Sequence, residues 1–221
     1  MKVVIFGASG MVGQGVLLEC LDRHTVTSVL VVGRSPSGIE HSKVEEIIHG
    51  DFADYGPIED RLGGLDACFF CLGVSAAGMS EDDYRHVTYD FAVRAAEALS
   101  RLNPEMVFCY VSGAGTDSTE KGRSMWARVK GMTENRLLEM PFKSVYIFRP
   151  GYIQPMKGVR SKTRLYQAMY TVLAPLYPIW KTLFPNSVTT TEKVGLAMIR
   201  VAENGLSKPV LDARDINKLA S

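Results

Sequence analysis

The sequence predicts an α/β fold, a doubly wound parallel sheet with a small C-terminal lobe. Short apolar runs rich in β-branched and aromatic residues recur through the first 150 positions. Segments with apolar residues at helical spacing lie between them, the alternation that builds a parallel sheet covered on both faces. The first strand–helix junction is a glycine-spaced turn, Gly7-Ala8-Ser9-Gly10-Met11-Val12-Gly13.

Each part of that junction has a physical role. Val3-Val4-Ile5-Phe6 has no polar face and reads as a strand buried on both sides. From Val12, apolar residues recur at Val16, Leu17, Cys20 and Leu21, one face of a helix. Gly7 allows a tight turn off the strand, Gly10 lets a pyrophosphate approach the backbone, and Gly13 allows helix and strand to pack closely. The helix N-terminus adds unpaired N–H groups and partial positive charge. Strand, turn and helix together predict a dinucleotide-binding unit, although the spacing is G-x-x-G-x-x-G rather than G-x-G-x-x-G.

The remaining elements follow in order. Ser28–Val32 reads as the second strand, ending at Gly33-Arg34-Ser35. An acidic residue there would accept from an adenosine 2′-hydroxyl, whereas arginine accommodates a 2′-phosphate. Arg34 with Ser35 therefore points to NADP, with NAD as the other possibility; a solvated loop arginine is the plainer alternative. Val44–Ile48 is a third strand closing on Asp51-Phe52, which either borders an adenine or caps the next turn. Residues 67–72 form a fourth, followed by Gly73, where a ribose would need room. Ser80 with Asp83 starts a long helix carrying Val87, Phe91, Ala95 and Ala98 on one face. Residues 106–111 are the fifth strand, ending at Ser112; 123–139 are helical; 144–148 are the sixth strand, closing on Arg149-Pro150-Gly151. Thr189 with Glu192 opens a final amphipathic helix. Residues 1–150 are thus expected to form the nucleotide-binding domain and 151–221 a small lobe packed on it.

Composition excludes several classes. Lysine and arginine number 25 against 24 acidic residues, a net charge of +1, so nothing favours nucleic acid or an anionic membrane as partner. Met1-Lys2 leads directly into a strand, with no leader pattern, and a cytoplasmic location is expected. The apolar stretch 165–184 is broken by Pro175 and Pro178 and includes Lys181, which argues against a transmembrane segment and for a substrate-covering or dimer-forming surface. Cys68 and Cys71 match C-x-x-C, but residues three apart on a strand face opposite ways, so a redox pair is not expected. The histidines at 24, 41, 49 and 86 have no metal-ligand spacing.

In this order, GASGMVG, GRS, GDF, CLG, VSGAG, VKGMTE and RPGYI resemble the atypical branch of the short-chain dehydrogenase/reductase superfamily, with its Rossmann-like fold. The likeness is to the NmrA-like and human Tat-interacting-protein-like oxidoreductases and spans nearly the whole chain. It implies that Gly7, Ser9, Gly10, Met11, Val12, Arg34 and Ser35 hold pyrophosphate and ribose phosphate. It further implies that Asp51 and Phe52 flank adenine and that Cys71, Leu72 and Gly73 line the ribose. Pro150, Gly151 and Ile153 would border the nicotinamide. The family's Tyr-x-x-x-Lys pair places both side chains on one pocket, since four residues make about one helical turn. Lys130 matches that lysine and Trp126 stands at the tyrosine position; Ser112, at the strand end, is the candidate for the accompanying serine, which in the family often lies a residue or two later, where Gly113 and Ala114 stand. An indole N–H donates a hydrogen bond but transfers no proton near neutral pH.

Two readings follow from the resemblance. One is an NADP(H)-dependent oxidoreductase or epimerase-like enzyme acting on a small carbonyl or alcohol, with Tyr152, Tyr84 or water as the acid. The other is a dinucleotide-binding regulator whose occupancy shapes the C-terminal lobe for a protein partner. Either would be a monomer or a homodimer.

Overall fold

Strand β1 (Lys2–Phe6) is buried from Val3 to Phe6 and lies at the centre of a seven-stranded parallel sheet. The computed structural model describes residues 1–159 and 187–221. The other strands of the sheet are β2 (Ser28–Gly33), β3 (Val44–Ile48), β4 (Ala67–Phe70), β5 (Val107–Val111), β6 (Ser144–Arg149) and β9 (Val210–Asp212), in the order β3-β2-β1-β4-β5-β6-β9. The chain winds outward from β1 to β3, then returns to lay β4 on the other side of β1, with Phe6 opposite both Val32 and Phe70. Strand order reverses there, and open α/β sheets bind ligands at such a switch point.

The sheet is sandwiched because alternate residues of each strand face opposite layers. Val3 and Ile5 join Phe69 and Cys109 on one face, against α1 (Met11–Asp22), α5 (Thr191–Asn204) and α6 (Ala213–Leu219). Val4 and Phe6 join Cys68, Phe70 and Phe108 on the other, against α3 (Phe91–Leu102) and α4 (Met125–Leu138). The rings of Phe6 and Phe70 are 5.3 Å apart and those of Phe70 and Phe108 6.1 Å. Each such pair adds about 0.5–1.5 kcal/mol beyond burial of its area. Cys68 and Cys71 pack on opposite faces of the sheet, and all four cysteines are free thiols.

The predicted long helix is present but composite. Ser80 caps α2 (Glu81–Arg85), its hydroxyl accepting from the Asp83 amide at 3.1 Å. A wider π turn, His86–Asp90, then leads into α3 without leaving the helical path.

The C-terminal third departs more from the sequence expectation. Strands β7 (Tyr152–Gln154) and β8 (Val188–Thr190) pair in parallel as a separate two-stranded sheet. The cap of α5 is Thr190, whose hydroxyl accepts from the Lys193 amide; Thr189, one residue earlier, instead donates to Asn217. Nor is α5 the final helix, because α6 follows, closed at its start by a capping box between Asp212 and Asp215. Residues after 190 supply an edge strand and two helices to the main sheet. The apolar stretch 165–184 lies outside the described residues.

Helices α1 and α5 touch through glycines. A Cβ on Gly15 would sit 2.5 Å from the Thr191 Cβ, and one on Gly195 would sit 2.8 Å from the Glu19 Cγ. Beside them, the buried Glu19 carboxylate pairs with the Lys157 ammonium at 2.6 Å, tying the segment after β7 to α1. Burial pushes the Glu19 carboxyl up, and Lys157 pulls it back down. Gly195→Leu is expected to destabilise the protein by about 1–3 kcal/mol, the usual cost of overpacking. Urea denaturation should show a lower midpoint with an unchanged slope.

Candidate functional site

At the carboxyl ends of β1, β4 and β5 lies a cavity of about 540 Å³. Its floor is the turn from β1 into α1. Gly7 has a φ of 81°, and a Cβ there would lie 2.7 Å from the Leu72 nitrogen, so the end of β4 crosses the turn at backbone distance. Gly13 is held more tightly still, since its Cβ would fall 2.2 Å from the Gly7 carbonyl oxygen. Gly10, in extended conformation, is the N-cap of α1, and no side chain caps the helix. The first turn of α1 holds no acidic residue, so its free amides and dipole face the cavity uncompensated.

Fourteen of the predicted site residues line this cavity. Gly7, Ser9, Gly10, Met11 and Val12 come from the first turn, and Arg34 and Ser35 from the end of β2. Cys71, Leu72 and Gly73 follow β4, and a Cβ on Gly73 would meet nothing within 4 Å, so open space lies beside it. Phe52 reaches the wall from the core, Ser112 ends β5, Lys130 projects from α4, and Ile153 belongs to β7. Gly33, Val74, Ser75 and Val111 also line it and were not anticipated; Gly33 and Val111 end strands at the sheet's carboxyl edge, which is the signal that marks them.

Three predicted residues stand elsewhere. Asp51 turns away from the cavity wall and accepts from the Ala53 amide at 2.9 Å, the turn-capping alternative. Pro150 is buried behind the wall, its carbonyl accepting from the Ala114 amide at 2.9 Å. Gly151 is packed against Ser187, whose carbonyl would be 2.3 Å from a Cβ there, which serves the β7–β8 pairing.

Among the described residues, the wall carries two basic side chains and no carboxylate. Arg34 has no hydrogen-bond or ion-pair partner among the described residues. Lys130 likewise has none; its ammonium lies 5.5 Å from the centre of the buried Tyr110 ring. Burial lowers the Lys130 pKa to about 8, against the opposing pull of the Glu134 carboxylate one turn later. Trp126, one turn before Lys130, is folded onto the Gly115 turn, with a Cβ there 3.4 Å from the indole, and is not part of the cavity wall. Among the described residues, no tyrosine lines the cavity. The Tyr152 hydroxyl donates to Gln154 at 2.9 Å, and Tyr84 is buried, which pushes its phenol up.

Behind Ser112 is a network that sequence reasoning did not anticipate. Glu134 is 1% exposed, and its carboxylate is clamped by Arg149, whose Nε lies 3.0 Å from both oxygens. Ser112 donates its hydroxyl to the same carboxylate. The Thr116 hydroxyl is 3.1 Å from Ser112 and donates to the Gly113 carbonyl at 2.8 Å.

These features suit a dinucleotide: a glycine cradle, an uncapped helix start, open space at Gly73 and a free guanidinium. The family described as NAD(P)H-binding matches residues 7–140. Protein HTATIP2 of Rattus norvegicus is 27% identical over 155 residues, covering 69% of this chain and 62% of that protein. Leucinostatins biosynthesis cluster protein T of Purpureocillium lilacinum is 27% identical, and the match spans 60% of its length. Protein fmp52-2, mitochondrial, of Aspergillus terreus is 24% identical, covering 91% of this chain and 87% of that one. Among solved structures, the fold is shared with a short-chain dehydrogenase/reductase superfamily protein from Agrobacterium tumefaciens with bound NAD, at a TM-score of 0.65 and 14% identity. That match covers 99% of this chain and 81% of the other. A UDP-N-acetylglucosamine 4-epimerase from Methanobrevibacter ruminantium M1 aligns at a TM-score of 0.70 and 15% identity, covering 95% and 74%. Among the described residues no helix is long and apolar enough to cross a membrane. The chain belongs to the NAD(P)H-binding family.

Proposed function

We propose that the protein is an NADP(H)-dependent oxidoreductase acting on a small carbonyl or alcohol. The observation that carries this reading is the presence on one cavity wall of two basic groups that make no hydrogen bond or ion pair among the described residues, Arg34 after β2 and Lys130 from α4. In this reading Gly7, Gly10 and the first amides of α1 hold the pyrophosphate, and Arg34 with Ser35 takes the 2′-phosphate. Cys71, Leu72 and Gly73 admit the ribose, and Ile153 borders the nicotinamide. Residues 1–150 carry these contacts, and 151–221 contribute Ile153 and the surface around it. When bound, the nicotinamide supplies or accepts the hydride. Lys130 then stabilises negative charge developing on the substrate oxygen. With its pKa lowered to about 8, it is also a titratable group suited to proton transfer near neutral pH, at a wall where no phenol stands among the described residues.

A second reading has one observation in its favour: among the described residues no phenol lines the cavity. A protein that binds the dinucleotide without turnover would act as a regulator, with cofactor occupancy read by a protein partner. Mixing the protein with NADPH and a panel of small aldehydes and ketones separates the two. Loss of reduced-cofactor absorbance that disappears in Lys130→Met supports the enzyme; tight NADPH binding with no consumption supports the regulator.

Two outcomes follow from the charges at the ends of the cavity. Arg34→Ala is expected to weaken NADPH binding by roughly ten- to a few hundred-fold, the worth of one or two charge-assisted hydrogen bonds, while leaving NADH almost unchanged. Fluorescence titration with both cofactors checks it; an equal loss for both would assign Arg34 to stacking on adenine. In the cofactor-free protein, labelling of Lys130 by an amine-reactive reagent should rise through a midpoint near pH 8. Surface lysines should reach theirs near their ordinary value of about 10.4. Site-resolved mass spectrometry across a pH series reads both.

A further inference from the structure

We propose that Tyr110 anchors Lys130: the face of its buried ring holds the ammonium at the cavity wall and leaves the N–H groups free for a ligand. The proposal rests on the oxidoreductase reading and names the residue that positions its lysine. The Lys130 ammonium lies 5.5 Å from the centre of the Tyr110 ring, a distance at which a cation is drawn to an aromatic face. The ring itself is fixed in place. It is 1% exposed and its centre lies 6.0 Å from that of Phe70. Its phenol donates to the Thr133 hydroxyl, whose own hydrogen goes to the Val129 carbonyl at 2.8 Å. Burial pushes that phenol up, so the ring stays neutral and attracts through its face rather than as an ion.

A carboxylate in the same place would attract the lysine more strongly, but its lone pairs would take up the N–H groups and its charge would repel a dinucleotide's phosphates. The nearby carboxylate, Glu134, is turned to Arg149 and Ser112 instead. The other titratable groups around the lysine supply no counter-charge: Arg34 is a second cation on the wall, and burial keeps the Cys71 thiol and the Tyr84 phenol neutral. Tyr110 is not among the residues that line the cavity. It is a positioning residue acting through Lys130.

Replacing Tyr110 by phenylalanine and by its mono- and pentafluorinated forms keeps the shape of the ring while fluorine withdraws charge from its face. The first readout is the pH midpoint of amine labelling at Lys130 in the cofactor-free protein. Tyr110→Phe should leave it near that of wild type. Fluorination should lower it stepwise, by about half to one and a half pH units at the pentafluorinated ring, because the charged lysine loses its attraction in an unchanged dry setting. A midpoint that stays constant along the series, or rises, overturns the proposal; a ring that only fills space would leave it constant. The second readout is NADPH affinity by fluorescence titration. It should weaken about two- to tenfold along the same series. In a Lys130→Met background the series should be flat, and an equal weakening there overturns the proposal. If NADPH fails to bind wild type, the oxidoreductase reading falls, and the labelling series still decides whether Tyr110 holds Lys130.

Discussion

The approach of Gly13 to the Gly7 carbonyl is the constraint on which the rest of the site depends. A side chain on Gly13 would begin 2.2 Å from that oxygen, and one on Gly7 would begin 2.7 Å from the backbone after β4. Three backbone segments therefore converge where most proteins keep side chains between them. The convergence aims the start of α1 at the point where strand order reverses. It also leaves Leu72 and Gly73 as the opposite wall of the cavity. Helix α1 is in turn pinned from outside by α5, again through glycines, so residues far along the chain hold the first turn in place.

Charge is distributed to match. Among the described residues the cavity wall bears Arg34 and Lys130 and no acid, and the uncapped helix start adds a partial positive charge. The acid nearest Lys130 in sequence, Glu134, is withdrawn behind Ser112 and paired with Arg149. Removing one member of such a buried pair leaves an uncompensated charge, typically a loss of about 3–5 kcal/mol. That cost gives Arg149, at the end of β6, a structural reason to be arginine independent of any ligand. Glu134 thus tempers the lysine's charge without presenting an acceptor to the cavity.

The missing phenol is resolved differently from what the helical spacing suggests. Trp126 is one turn from Lys130, yet its indole occupies the space above the Gly115 turn. Spacing along a helix says which residues share a side; which of them reaches a cavity depends on the loop opposite, here the one after β5. Among the described residues, Ser112, Val111 and Ile153 line the same cavity as Lys130.

By itself the sequence determined the elements whose signals are local. Runs such as Val3–Phe6 and Ala67–Phe70 have no polar face and can only be strands buried on both sides. The glycine turn and Arg34 after β2 were legible because a turn's φ and a strand's end are written in adjacent residues, and Lys130 was legible through the resemblance of its surrounding motif to a known family. Strands β7, β8 and β9 were not legible, being three residues each and too short to carry a period. Asp51, Pro150 and Gly151 were assigned to the cavity by the family resemblance, with turn capping as the alternative for Asp51. Only the tertiary structure decided that Asp51 spends its carboxylate on the Ala53 amide, that Pro150 lies behind the wall, and that Gly151 makes room for Ser187. The Ser112–Glu134–Arg149 network was decided there as well. Its members come from a strand end, a helix and another strand end, and hydrogen-bond partners so far apart in sequence are chosen by packing rather than by pattern.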